Sequence, residues 1–469
     1  MNVAFLIPPS PENRKIVRAI DCSFETKANY LWQPNDFMII SSLMQPGDEI
    51  FFVDGTADSL SEEVFFQDAG KIKNPDLLFF AFSSIYYGSD FRYFTKVREL
   101  FPDTPLFVIG DLFIEKKSRE SFLGKCDGIV FQPYSLDLLK MAAIRKNPRA
   151  PLKGVCLEPA DELFPPKENL RKNHASAFPR HETFLKPGYV FPFARHFKFA
   201  TVTVAWGCPY ECSYCTDSNF TPYVRDPKDV IQELTHLKSL GIKELFFADK
   251  VFGFPHETLT VLLREMAENF SFSWSCYHHP NTYKPEFLEL MKRAGCHTII
   301  VGIDSYNVES LKLYNRHVTR DKIEALLFHA DKLEIDVCAD FILGLDHETK
   351  DDILRTIEYS LRLPIDFASF NIASPLPGSS IREQAVLAGK MESADESFDT
   401  LGDKKILASR NIDATELRWL RRKAVGSFYL RPSYIWRRLR RIDSLEHLTL
   451  QFLEALSMFK KLKVKTHWG

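Results

Sequence analysis

The sequence has no uncharged apolar run that approaches the roughly 18–20 residues of a membrane span. It has no charge excess: 60 Lys and Arg stand against 62 Asp and Glu, a net of −2 at neutral pH. Such a balance gives no global pull toward nucleic acid. No internal repeat and no low-complexity tract is present, which sets aside solenoid, collagen-like and disordered chains. The amino terminus, Met1-Asn2-Val3-Ala4-Phe5-Leu6-Ile7-Pro8-Pro9, lacks a basic lead and a small-residue cleavage site. It reads as a first strand and not as a signal peptide. The expectation is a soluble, cytoplasmic protein, with contact at a membrane surface left open. Cysteines are few and odd in number, nine in 469 residues, and six are scattered singly. A secreted disulfide framework is therefore excluded.

What the chain does have is an ordinary globular composition, 45% apolar and 26% charged, with one surplus: 40 phenylalanines. That much aromatic surface serves a large core or an apolar substrate pocket. The length allows two to four domains at roughly 100–200 residues each. Across residues 1–150, short apolar runs alternate with amphipathic stretches. Strands are predicted at 3–7, 49–53, 77–82, 106–109 and 128–131, with helices between them, for example at 91–101 and 135–144. This order predicts βαβ units and a doubly wound, Rossmann-like parallel sheet, whose ligands lie beyond the strands' carboxyl ends.

Residues 151–195 are rich in Pro and charge, without a sustained period, and read as a linker. A second alternation begins at residue 197. Strands at 197–206, 244–248, 272–276, 297–303, 336–343 and 367–373 take turns with helices at 230–240, 257–269, 285–294, 321–333 and 350–361. Six βα steps predict a partial (β/α)6 barrel over 196–385, with its chemistry at the strand carboxyl ends. Residues 386–469 lose the alternation and read as a helical tail. Nine Lys or Arg and no acid fall between Arg418 and Arg441, interleaved with Trp419, Phe428, Tyr429, Tyr434 and Trp436, and an amphipathic run follows at 444–462.

One stretch has metal-ligand spacing: Cys208-Pro209-Tyr210-Glu211-Cys212-Ser213-Tyr214-Cys215, directly after the first barrel strand. Three thiolates spaced C-x3-C-x2-C form a compact tripod. Such a set holds three irons of a [4Fe–4S] cluster and leaves the fourth open, whereas a full set of four suits electron transfer. The competing reading is a structural zinc site, whose fourth ligand Cys276, His278 or His279 could supply. Lone cysteines elsewhere read as small buried hydrophobes.

Gly207 to Cys215 resembles the cluster loop of the radical S-adenosylmethionine (radical SAM) superfamily, and the resemblance continues in register. Phe246-Phe247-Ala248-Asp249 is similar to the second-strand end, where an acidic residue meets the methionine amino group. Trp274-Ser275-Cys276 is similar to a common third-strand end. Ala294-Gly295-Cys296 with Val301-Gly302-Ile303-Asp304-Ser305 resembles the "aGc…iGiES" segment that reaches the SAM ribose. Phe341-Ile342-Leu343-Gly344-Leu345 resembles the "fi.GlPgEt" stretch against the adenosine, and Pro375-Leu376-Pro377-Gly378 the closing turn. Three positions depart from the pattern: Asp304 replaces Glu, Asp346 replaces Pro, and Lys250 stands where an acid is frequent. The shorter Asp304 implies a ribose contact through water.

The resemblance implies a [4Fe–4S] cluster on Cys208, Cys212 and Cys215, and SAM contacts from Tyr214, Asp249, Asp304, Ser305 and Gly344. It implies reductive cleavage of SAM to a 5′-deoxyadenosyl radical that attacks an unactivated C–H bond, with electrons from a flavodoxin- or ferredoxin-type donor. A Phe-rich barrel mouth would keep water out and suit an apolar substrate. The doubly wound domain in front resembles the cobalamin-binding subgroup, although no D-x-H-x-x-G motif is present. The alternative is a domain that keeps the fold without the cofactor. Overall layout, with Ser427-Phe428-Tyr429-Leu430-Arg431-Pro432, resembles hopanoid-associated members and the anaerobic Mg-protoporphyrin ester cyclase. Methyl transfer to an isoprenoid, lipid or tetrapyrrole is the leading expectation. Radical cyclisation and a non-catalytic, zinc-stapled binding protein are the alternatives. No nucleic-acid partner is expected. The basic tail packs as a solvated helix face or touches a membrane surface.

Overall fold

A segment such as Leu77-Leu78-Phe79-Phe80-Ala81 is apolar at every position, so a strand built from it needs cover on both faces. A parallel sheet between helices provides that cover, and the chain builds it twice. The computed structural model describes residues 1–20, 30–147, 152–159, 161, 178–220, 222–391, 408–442 and 444–464. They divide into two compact units, Met1–Phe191 and a second that begins at Pro192 and includes the C-terminal helices.

The first unit has strands β1 (Asn2–Ile7), β2 (Glu49–Asp54), β3 (Leu77–Ala81), β4 (Leu106–Ile109), β5 (Gly128–Val130) and β6 (Val155–Cys156). Their order is β2-β1-β3-β4-β5-β6, parallel except for β6. This is the doubly wound sheet expected, and the order reverses between β1 and β3. Most of the phenylalanine surplus is spent here. Phe5, Phe79 and Phe107 stand in register across three strands, with ring centroids 5.4 and 6.2 Å apart. On the opposite face Phe80, Phe82, Phe94 and Phe122 interlock. The barrel keeps its own share: Phe246, Phe247, Phe252, Phe341 and Phe370 are wholly buried in the second unit.

Part of the expected linker is described. Residues 178–191 pack onto the first unit: Phe184 is wholly buried against Phe5 and Phe52, and Val190 bridges Leu31. Tyr189 donates to Asp54 at 2.5 Å, and a Cβ on Gly188 would lie 1.9 Å from the Ala57 carbonyl oxygen. Sparse apolar anchors among charges leave no period in the sequence to reveal this docking. At the switch point Arg18 and Asp90 form a fully buried ion pair at 3.0 Å. Ser83 donates to Asp90, and Arg18 donates to Ser10 and Thr56.

The second unit carries β7 (Phe199–Val202), β8 (Ala205–Trp206), β9 (Tyr223–Val224), β10 (Glu244–Phe252), β11 (Ser273–His278), β12 (Cys296–Asp304), β13 (Asp336–Leu343) and β14 (Phe367–Ile372). Six of them form one parallel sheet, β14-β13-β12-β11-β10-β7, with a helix after each inner strand. The expected partial barrel is present. The strand expected at 197–206 is broken, because both oxygens of Asp249 accept the amides of Val204 and Ala205 and turn the chain out of the sheet.

The tail forms three helices, Ala414–Tyr429, Pro432–Arg441 and Leu445–Val464. The first lies along β14, where Tyr429 bonds Ala368 through its hydroxyl. Three of the four basic residues of the second turn inward, and Arg440 is exposed. Arg437 pairs with Asp331 and Asp366, Arg438 with Asp336, and Arg441 with Asp331, all at 2.7–3.1 Å. Asp336 and Asp366 lie at the amino ends of β13 and β14, and Asp331 in the last turn of the helix Arg320–Lys332 before β13, so the tail helix closes the floor of the barrel.

On the same floor, Glu244 is wholly buried, 2.8 Å from His297 Nε2, and accepts the Arg195 amide. Burial pushes its carboxyl up to about 8. A raised carboxyl keeps a proton in the folded state that the unfolded chain releases, so its stabilising contribution is complete below the ordinary pKa and fades as pH rises through 8. Melting temperature should therefore fall between pH 5 and 8.5, and Glu244→Gln should fall less over that range. An equal fall in both proteins would refute the assignment.

Candidate active site

The cysteine loop is pinned at its base and along its length by backbone and side-chain bonds, to which its thiols add Cys215 Sγ to Asp217 at 3.7 Å and Cys212 to Arg316. β8 and β9 pair antiparallel, Ala205 opposite Val224 and Trp206 opposite Tyr223, and so close the neck of the loop. Gly207, at φ +82°, makes the turn out of β8, a conformation that side chains disfavour. Inside the neck, the Cys208 amide donates to the Phe220 carbonyl and the Trp206 ring meets Phe220. Ser213 donates its amide to the Tyr314 carbonyl at 2.9 Å, and the Ser380 amide donates to the Ser213 carbonyl at 2.7 Å. Thr216 and Asn219 donate to the carbonyls of Pro377 and Gly378. The Pro375–Gly378 turn is thus the outer clamp of the loop.

All eight described cysteines are free thiols; Cys22 lies outside the described residues. Burial pushes up the three loop thiols, Cys208 to about 11. The charge of Arg316 opposes this at Cys212, and that of Lys250 at Cys208 and Cys215. Among the described residues no three His, Cys, Asp or Glu close on a single point as they would around one ion. A tripod that holds three corners of a cubane stands wider than the shell of one zinc. Of the candidate fourth ligands in the zinc reading, His279 is engaged through both ring nitrogens, whereas His278 Nε2 is buried without a hydrogen-bond partner. His278 donates Nδ1–H to the Phe252 carbonyl, the His279 ring stacks on Tyr210 with centroids 3.9 Å apart, and Cys276 is buried beside Cys296.

Beside Cys212 lies a buried polar knot. Arg316 pairs with Asp304 at 2.8 Å, both side chains under one-tenth exposed. Tyr214 donates its hydroxyl to the same carboxylate at 2.9 Å. Arg316 also donates to the Gly302 carbonyl and bonds His279. Asp304 sits at φ +65°, a strained conformation for a residue with a side chain, and strain of this kind collects at functional sites. Of the expected SAM contacts, Tyr214 and Asp304 are thereby brought together next to the cysteine loop.

The other three expected contacts each have partners within the fold. Asp249 spends its carboxylate on the amides that start the loop, and burial raises its pKa to about 7. Ser305 donates to Glu348 at 2.5 Å, and Glu348 accepts the amides of Gly344 and Leu345. At Gly344, φ +83°, a Cβ would meet Leu417 of the first tail helix at 2.6 Å. Glu348 and Arg316 were not foreseen. Glu348 occupies the Glu of "GlPgEt", three residues past the quoted stretch, so its signal was available. Arg316 had none, because nothing local distinguishes a buried arginine from a solvated one. Lys250, at a position where an acid was expected, pairs with Asp217 just past the loop, at 3.4 Å.

A buried strand, a clamped loop of three free thiols and a cation–carboxylate knot at the strand ends define the iron–sulfur class of barrel. Residues 202–360 match the model of the radical SAM superfamily, and this chain carries a radical SAM domain. The family's cofactors are a [4Fe–4S] cluster and SAM, and the three thiols fit the first. The chain is 30% identical to an uncharacterized methyltransferase of Pyrococcus horikoshii over 242 residues, 50% of this chain and 52% of that one. It is 30% identical to the bacteriochlorophyllide d C-12(1)-methyltransferase of Chlorobaculum tepidum over 38% of this chain and 41% of that one. It is 25% identical to the hopanoid C-2 methylase of Rhodopseudomonas palustris over 44% of this chain and 41% of that one. The match thus spans about half the length of these relatives or less. The radical SAM methyltransferase TsrM from Kitasatospora setae, solved with cobalamin and a [4Fe–4S] cluster bound, shares the fold. Its TM-score is 0.62 at 18% identity, over 82% of this chain and 75% of that one.

Proposed function

We propose that the chain is a radical SAM methyltransferase that activates a C–H bond of an apolar substrate, an isoprenoid, lipid or tetrapyrrole, with cobalamin as a second cofactor. The observation that carries the reading is the loop of Cys208, Cys212 and Cys215, held open by backbone bonds beside Arg316, Asp304 and Tyr214. When bound, the cluster supplies the electron that cleaves SAM. Every other contribution is made by the chain. Asp304 offers a carboxylate to a hydroxyl or ammonium, and Arg316 offers a cation to a carboxylate, in a setting where burial strengthens both. Tyr214, kept protonated by burial beside Asp304, holds that carboxylate in place. Leu311, Tyr314, Leu345 and Ile381 pack around Tyr214 and exclude water from that side.

The methyl-transfer part is supported by the relatives that carry that name. The cobalamin part is supported by the doubly wound unit and its open-sheet switch point. No D-x-H-x-x-G motif is present, so the corrin proposed for this unit is one gripped without the histidine of that motif. Protein purified without oxygen, from cells given iron and a cobalamin source, tests both halves by metal content. About four irons and one cobalt per chain are expected. Iron without cobalt would remove cobalamin and leave the radical chemistry; the absence of both, with zinc in their place, would overturn the proposal.

A further inference from the structure

A surface helix ordinarily turns its charges outward and its apolar stripe to the core. The last two helices do the reverse. In Pro432–Arg441 the inward residues are Arg437, Arg438 and Arg441, consumed by Asp331, Asp336 and Asp366. Ile435, Trp436 and Leu439 face out, each more than half exposed. In Leu445–Val464, Glu446 bonds His196 and the Phe197 amide, while His447 and Leu450 are buried. The outward stripe is Leu445, Leu448, Phe452 and Leu456, spaced as one helix face, with Phe452 61% exposed. An apolar face of this extent marks a binding surface.

We infer that this face docks on an anionic lipid surface. Charge favours lipid over a second copy of the chain. Arg440 is exposed at the margin and lies over the Trp436 ring at 4.8 Å, an aromatic–cation pair suited to the headgroup boundary. The sequence beyond Leu456 adds Lys460, Lys461, Lys463 and Lys465 and no carboxylate. Two copies meeting through this face would bring like charges together at its margin, where Arg440 is exposed. Lipid headgroups carry the missing charge. Among the described residues no helix is long and apolar enough to cross a membrane, so the contact is peripheral. The inference is independent of the reaction proposed above.

The test is flotation of the full chain with phosphatidylcholine vesicles, with and without about 30 mol% phosphatidylglycerol. Binding is expected with phosphatidylglycerol, and the bound fraction should drop about tenfold or more in Leu448→Glu/Phe452→Glu. Both side chains are exposed, so circular dichroism should be unchanged. Light scattering runs in parallel. Wild-type protein that stays unbound overturns the inference. So does a vesicle-free dimer that the double variant dissolves, which would give the face to a second copy.

Discussion

Cys212→Ala will fold, bind less iron, and release no 5′-deoxyadenosine above background when SAM and a strong reductant are supplied. The first half follows from the way the loop is held. Its shape rests on the amides of Ser213 and Ser380, the side chains of Thr216 and Asn219, and the β8–β9 neck. None of these involves a thiol. Loss of one buried sulfur leaves only a small cavity, so melting temperature should shift little. The second half follows from ligand count. With two thiolates the loop offers two corners in place of three, and a cluster held so is exchanged or lost. Iron content, the visible spectrum and product analysis read the three consequences separately. SAM cleavage at the wild-type rate would sink the cluster assignment whatever the iron content. A variant that unfolds would show that the loop depends on its thiols, against the hydrogen bonds described.

How much of this was legible depends on the distance over which each feature is written. The cysteine loop is local: eight consecutive residues state it. Strand β13 is also local, and the structure returns it at the residues expected, 336–343. The knot at Arg316 is not local. Its carboxylate comes from the end of β12 and its hydroxyl from the cysteine loop, on segments brought together only by the barrel. The tail misleads for the same reason. Its basic run reads as a solvated face because composition names the charged residues without saying which way they point. The partners that turn them inward, Asp331 on a helix end and Asp336 and Asp366 at strand ends, come from far earlier in the chain. The phenylalanine surplus is shared between the units: two-sided burial in the first unit's parallel sheet takes bulk on both faces, and the barrel buries Phe246, Phe247, Phe341 and Phe370 as well. Asp249 shows the subtler case. The pattern located the residue at the right strand end, while the structure turns its carboxylate onto backbone amides and makes it the strut of the loop.

Arg316→Met and Asp304→Asn should each destabilise the protein, and the two together should destabilise it much less. Both side chains are buried and lie 2.8 Å apart, so either change alone strands its partner. Breaking a buried pair from one side costs about 3–5 kcal/mol, because an uncompensated charge remains. Removing both charges removes that penalty, and methionine keeps most of the arginine's volume. Denaturant unfolding of the four proteins gives the coupling directly. Function should not follow stability. If Arg316 and Asp304 meet the polar groups of SAM, the double variant remains defective in SAM cleavage even where its stability has returned. Recovery of cleavage along with stability would make the knot a structural brace and remove both residues from the SAM site. Cluster content separates a third outcome. Arg316 also neighbours Cys212, so a double variant that is stable but poor in iron would assign the cation to holding the cluster's ligand and not to SAM.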